Sequence, residues 1–269
     1  MGLVVKSLKS DLVKPFSQIL KAKVIENAQD IRFYLGGTFR LNNGVIVQDQ
    51  VLYTSEIDSN FIDKNNIFSV TVGQEITVFV QDIKKIGGLE AAGLFTSSPF
   101  LFDLSDFIYL PSVFSIRMNG TTFKNIQLLS EKVSPSQFPT LVLTSTKFVD
   151  STQNTEINQD LSFLDDFENL SSVNLTGSNV LGKMRLDNKP RLKSLNLSKC
   201  LLSTEDLDDI VQKLYALGNF FTGSGKSLNI TDQRTGSKLS GVLGDPVSSG
   251  TGQGFATGLT DDFGWIVRQ

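Results

Sequence analysis

The sequence predicts an α+β fold: an irregular solenoid with a parallel β face, variable loops and one clear helix near the C-terminus, preceded by a small β-rich N-terminal unit. Three observations predict it. Leu170-Ser171-Ser172-Val173-Asn174-Leu175 returns 22 residues later as Leu192-Lys193-Ser194-Leu195-Asn196-Leu197. A phrase recurring at that period marks copies of one strand-and-turn unit, each covering the apolar face of the next. Ser203 to Gly218 carries the pattern of a capped amphipathic helix, and residues 31–47 read as short strands separated by turn residues.

In chain order, Leu12, Val13, Phe16, Ile19 and Leu20 fall at helical spacing with Pro15 in the first turn. This predicts a short helix or an arm lying on another surface. Ile31–Leu35, Thr38–Leu41 and Val45–Val47 are strand-like, divided by Gly36-Gly37 and Asn42-Asn43-Gly44. Asn-Gly between strand runs signals a hairpin. Strands so few and short cannot stand alone, so residues 1–70 are expected to form a docking unit packed on the rest or on a neighbour. Residues 71–269 then read as degenerate repeats with a C-terminal cap. The starts at Leu110, Phe138, Leu170 and Leu192 lie 28, 32 and 22 residues apart. Within each phrase alternate apolar residues point inward and the intervening Ser, Asn and Lys point outward.

Ser203 is a good N-cap with Asp206 three positions on, and Leu207, Ile210, Val211, Leu214 and Leu217 make one apolar stripe ending at Gly218. Leu228-Asn229-Ile230 repeats the wording of Leu195-Asn196-Leu197 and is the next expected strand. Residues 235–258, rich in Gly, Ser and Thr with Pro246, read as a long loop. Gly264-Trp265-Ile266-Val267 reads as a last strand, after a short turn or helix, that caps the array.

Composition narrows the function. With 269 residues, 40% apolar and 20% charged, the chain has globular composition. A net charge of −3, a pI near 5.1 and no Lys/Arg run predict no nucleic-acid partner. No stretch reaches the roughly eighteen apolar residues of a membrane span, so no membrane insertion is expected. The N-terminal apolar run is too short for a secretory signal. There is no histidine, which removes the commonest general base and metal ligand. The single Cys200 cannot form an intrachain disulfide and reads as a buried apolar side chain.

The motifs that look chemical have plainer readings. Gly223-Ser224-Gly225-Lys226-Ser227 lacks the first glycine of a phosphate loop, Phe220 standing in its place, and the order is helix, loop, strand. Asp165-Asp166, Asp208-Asp209 and Asp261-Asp262 lack EF-hand spacing and read as solvated or helix-start charges; a Ca²⁺ held in a loop is left open. Phe95, Phe100, Phe102, Phe107, Tyr109 and Phe114 crowd one segment. They form either an aromatic core or, where they point outward, an apolar contact patch.

The Leu-Lys-Ser-Leu-Asn-Leu-Ser phrase at 192–198, the Ser-Thr-Glu-Asp-Leu-Asp-Asp-Ile helix start with its following Ser-Leu-Asn-Ile, and the closing Gly-Trp-Ile-Val carry a resemblance. They look like the leucine-rich repeats of bacterial surface proteins and bacteriophage virion proteins, strongly over 160–269 and weakly over 70–160. The resemblance implies a horseshoe or short arc used for adhesion or assembly, with no chemistry of its own. The expectation is therefore a protein that is not an enzyme, with no catalytic residue, cofactor or metal ligand, located in the virion as fibre, decoration or tail component. The alternative is a bacterial cell-surface or secreted adhesin that binds host protein or glycan. Partners are other virion or surface proteins, a host receptor or glycan, or further copies of the chain. The candidate contact residues are Ser172, Asn174, Ser194, Asn196, Phe100, Phe107 and Tyr109.

Overall fold

The computed structural model describes residues 17–34, 39–40, 46–47, 51–55, 62–63, 68–80, 83–93, 99–222 and 224–269. Its strands are β1 (Ser17–Val24), β2 (Ala28–Tyr34), β3 (Val51–Ser55), β4 (Ile62–Asp63), β5 (Phe68–Val70), β6 (Glu75–Val80), β7 (Gly88–Gly93) and β8 (Phe100–Asp103). They continue as β9 (Ser115–Met118), β10 (Thr122–Lys124), β11 (Thr140–Val142), β12 (Lys147–Val149), β13 (Glu156–Ile157), β14 (Ser172–Asn174), β15 (Ser194–Asn196), β16 (Ser227–Asn229) and β17 (Ile266–Arg268). Three helices are α1 (Leu129–Lys132), α2 (Thr204–Leu217) and α3 (Gly252–Phe263). A nine-stranded sheet has the order β17-β16-β15-β14-β11-β9-β7-β2-β5, and an eight-stranded sheet the order β13-β12-β10-β8-β1-β6-β3-β4. Residues 39–40 and 46–47 pair as a separate antiparallel hairpin, and 159–160 pair in parallel with 180–181.

This architecture corrects the expected fold class. The chain is an α/β protein with parallel and mixed sheets, in which the seven strands from β7 to β17 are all parallel. It is not an α+β leucine-rich-repeat solenoid preceded by a small β-rich unit. A solenoid is quasi-one-dimensional, each unit touching only its neighbours. Here β1 inserts antiparallel between β6 and β8, and β2 lies antiparallel on β7. The early strands therefore continue both large sheets.

The expected helix near residue 20 is likewise a strand. Ile19 and Leu20 are consecutive and both fully buried, and the β1–β6 register shifts between Gln18 and Leu20. A bulge places two neighbours on one face, which imitates helical spacing in the sequence. Leu12, Val13, Pro15, Phe16, the Gly36-Gly37 and Asn42-Asn43-Gly44 turns, Phe95 and Gly223 lie outside the described residues.

Between residues 100 and 149 the chain shuttles from one large sheet to the other, from β8 to β9, β10, β11 and β12. Phenylalanines fill the interior: Phe102 stacks on Phe123 at 5.7 Å and meets Phe107 edge-on at 6.1 Å. From residue 170 onward the nine-stranded sheet grows while leucines and two helices form the interior. Ser203 accepts from the Asp206 N–H and Asp206 accepts from the Ser203 N–H, which is the capping box read from the sequence. Leu207, Ile210, Val211 and Leu214 are buried.

The long loop expected over 235–258 ends earlier, because Gly252–Phe263 is helical with Thr251 as N-cap. Its glycines disguised it. A Cβ at Gly252 would strike Asp208, and one at Gly258 would strike Tyr215 and Val247. These glycines let α3 approach α2 closely, at a cost in helix propensity.

Candidate interaction surface

The parallel register aligns the repeated phrase into columns. Ser115, Thr140, Ser172, Ser194, Ser227 and Ile266 are consecutive partners across the sheet. Two residues on, Arg117, Val142, Asn174, Asn196, Asn229 and Arg268 form a second column. Between them Leu141, Val173, Leu195 and Leu228 are buried. Strand alternation thus turns the apolar column inward and both polar columns outward, with successive rungs ~4.8 Å apart.

The asparagines have two roles. Asn174 Oδ1 accepts from the Thr176 N–H at 3.1 Å and its hydroxyl at 2.7 Å, and Asn196 Oδ1 accepts likewise from Ser198 at 3.2 and 2.8 Å. Asn229 Oδ1 accepts from the Thr231 N–H at 3.2 Å. Each side chain closes an Asx turn that ends its strand. The next turn residue is left-handed in five successive rungs: Gly120, Ser145, Gly177, Lys199 and Asp232. With the carbonyl oxygens engaged, the Asn amide groups and the serine hydroxyls remain to face outward. The Ser227 and Ser194 hydroxyls lie 3.4 Å apart, and Thr140, Ser172, Ser194 and Ser227 form a run of short polar side chains on neighbouring strands.

Four predicted contact residues, Ser172, Asn174, Ser194 and Asn196, therefore come together, half-buried by their ladder neighbours. Phe100 and Phe107 do not join them. Both are buried in the aromatic interior: alternation along β8 turns Phe100 and Phe102 inward, and Phe107, beyond the strand, packs edge-on against Phe102. Tyr109 is 51% exposed, but it lies on the loop before β9 and outside the two columns. Sequence reasoning omitted Ser227, Asn229 and Thr140, although Ser-Leu-Asn occurs identically at 194–196 and 227–229. That tripeptide was the available signal.

The groups that looked chemical have structural partners. Asp165 accepts from the Arg185 N–H at 2.6 Å, Asp208 from the Ser240 N–H at 2.9 Å, and Asp262 from the Tyr215 hydroxyl at 2.9 Å. That last bond raises the tyrosine's pKa. Lys226 sits 5.9 Å from the Trp265 ring centre, a cation–π placement. Cys200 is buried, and burial pushes its thiol up to about 12. Lys189 is the one fully buried cation among the described residues, held by Asn188 Oδ1 at 2.7 Å and the Asp165 carbonyl at 3.2 Å. Burial lowers its pKa to about 8 against the attraction of Asp165.

Among the described residues no group of three or more His, Cys, Asp or Glu converges as a metal site, and no helix is long and apolar enough to cross a membrane. No family model, curated protein or solved structure matches this chain. From β7 to β17 the strands follow chain order without reversal, and reversal is where open α/β sheets form their ligand crevice. What the sheet offers instead is an outward polar face.

Proposed function

We propose that this protein is a non-catalytic assembly component that uses the outward Ser/Thr/Asn face of β11, β14, β15 and β16 as a contact surface, and that it belongs to a bacteriophage virion. The observation that carries the reading is the in-register alignment of Ser172, Ser194 and Ser227 beside Asn174, Asn196 and Asn229. Regular rungs of short, pre-ordered polar side chains lose little conformational entropy on binding. They also suit a wet, hydrogen-bonded interface. The wording of Leu192–Ser198, similar to that of surface and virion proteins, supports the particle as the setting. Other virion proteins, a host receptor or glycan, or further copies of the chain are the partners in this reading.

Mass spectrometry of purified particles tests it. The account expects the chain at a fixed copy number. Its absence from particles, together with a mature chain that starts after Met1 on the bacterial surface, would replace this reading with an exported adhesin.

A further inference from the structure

A groove of about 400 Å³ opens at the N-terminal ends of the same parallel strands, beside the polar face. Arg191 and Lys193 line it together with Gln137, Asn169, Ser171 and Thr222, and no carboxylate does. This differs from the larger hollow on the eight-stranded sheet, where Lys21, Lys124 and Lys147 pair with Glu75, Asp103 and Glu156 at 2.7, 3.6 and 3.7 Å. That hollow neutralises itself. Among the described residues neither Arg191 nor Lys193 forms an ion pair, so the groove is a local cationic site on a chain of net charge −3.

The neutral groups add a second requirement. Ser171 Oγ donates to the Pro139 carbonyl at 3.2 Å, and Thr222 Oγ1 donates to the Pro190 carbonyl at 3.4 Å. Asn169 Nδ2 donates to the Ser136 carbonyl. Each hydroxyl hydrogen and one of the two Asn169 N–H groups are engaged, so the two hydroxyl oxygens and the Asn169 Oδ1 are left as acceptors, with one Asn169 N–H as a further donor. A bare inorganic anion brings chiefly acceptors, with at most one or two acidic O–H groups, and leaves most of these groups unmatched. A neutral sugar brings hydroxyls and leaves two cations uncompensated. An anionic group carried on a hydroxyl-rich chain satisfies both sets, with Arg191 able to grip a carboxylate or phosphate by two parallel N–H bonds.

We propose that this groove binds an acidic saccharide or polyol, its carboxylate or phosphate held by Arg191 and Lys193 and its hydroxyls by Ser171, Thr222 and Asn169. The site is independent of the contact face, so the free chain serves for the test. Amide-resolved NMR titrations with glucuronic acid, glycerol 1-phosphate, inorganic phosphate and glucose distinguish the possibilities. The expected result is saturable shifts at Ser171, Lys193 and Thr222 with at least one of the two acidic polyols, weakened by added salt because both cations are exposed. The stronger response assigns the anion to a uronic acid or to a phosphate monoester. The double variant Arg191→Gln/Lys193→Gln should stay folded and bind about tenfold more weakly. No response at these amides, an equal response to glucose or to inorganic phosphate, or undiminished binding in the double variant would each overturn the assignment.

Discussion

Residues 100–149 and residues 170–268 build their interiors differently. In the first region the chain crosses between two sheets at every strand, and phenylalanines such as Phe102, Phe123 and Phe148 fill the space. In the second, one sheet grows rung by rung. Its inner face carries smaller aliphatic side chains, Val173, Leu195 and Leu228, with α2 and α3 in the same apolar cluster. The difference teaches where sequence regularity comes from. A single sheet repeats one environment, so its wording repeats; two interleaved sheets alternate environments, so no simple phrase survives.

Both regions belong to one apolar cluster, and paired substitutions probe whether they unfold as one. Phe102→Ala and Leu195→Ala should each cost about 3–4 kcal/mol and move a single chemical-denaturation transition. Two separate transitions would break the comparison into independent units. A smaller effect is expected at Gly258→Val, about 2 kcal/mol, since the new side chain meets Tyr215 and Val247. Loss of the tyrosine near-ultraviolet signal would locate that damage at the α2–α3 contact.

The buried Lys189 gives the second region its own pH signature. Its pKa is about 8 folded against an ordinary 10.5, so between these values the unfolded chain binds more protons and stability rises with pH. The penalty is fully present below pH 8 and relieved above 10.5. Lys189→Met should flatten this rise in thermal-unfolding midpoints. Lys199, left-handed at φ 57°, gives a smaller effect: Lys199→Gly should stabilise by about 1 kcal/mol. The preceding rung's Gly177, at φ 71°, should respond to Gly177→Ala with the opposite sign.

How much of this was legible follows the same division. The strands at Ser172, Ser194 and Ser227, the inward leucines and the Ser203 cap could be read because they depend on alternation and local hydrogen bonds. Four residues of the outward polar face could be placed together for that reason. The insertion of β1 and β2 into the large sheets could not be read, because antiparallel pairing between Ala22 and Phe102 leaves no local mark. The bulge at Ile19-Leu20 wrote a helical pattern into a strand. The glycines of α3 wrote a loop into a helix, since their cause is the surface of α2. Phe100 and Phe107 are aromatic for the interior, and composition alone does not distinguish a buried aromatic from an exposed one.

Thiol labelling at Ser194 tests the proposed contact face. Cys200 is buried and hard to ionise, so Ser194→Cys introduces the one reactive thiol. Lys147→Cys, at an exposed position on the other large sheet, is the control. The account predicts that a maleimide labels both variants in the free chain, and that in purified particles it labels Lys147→Cys while Ser194→Cys is protected. Equal labelling of Ser194→Cys in free chain and particle would contradict the assignment of this face to assembly.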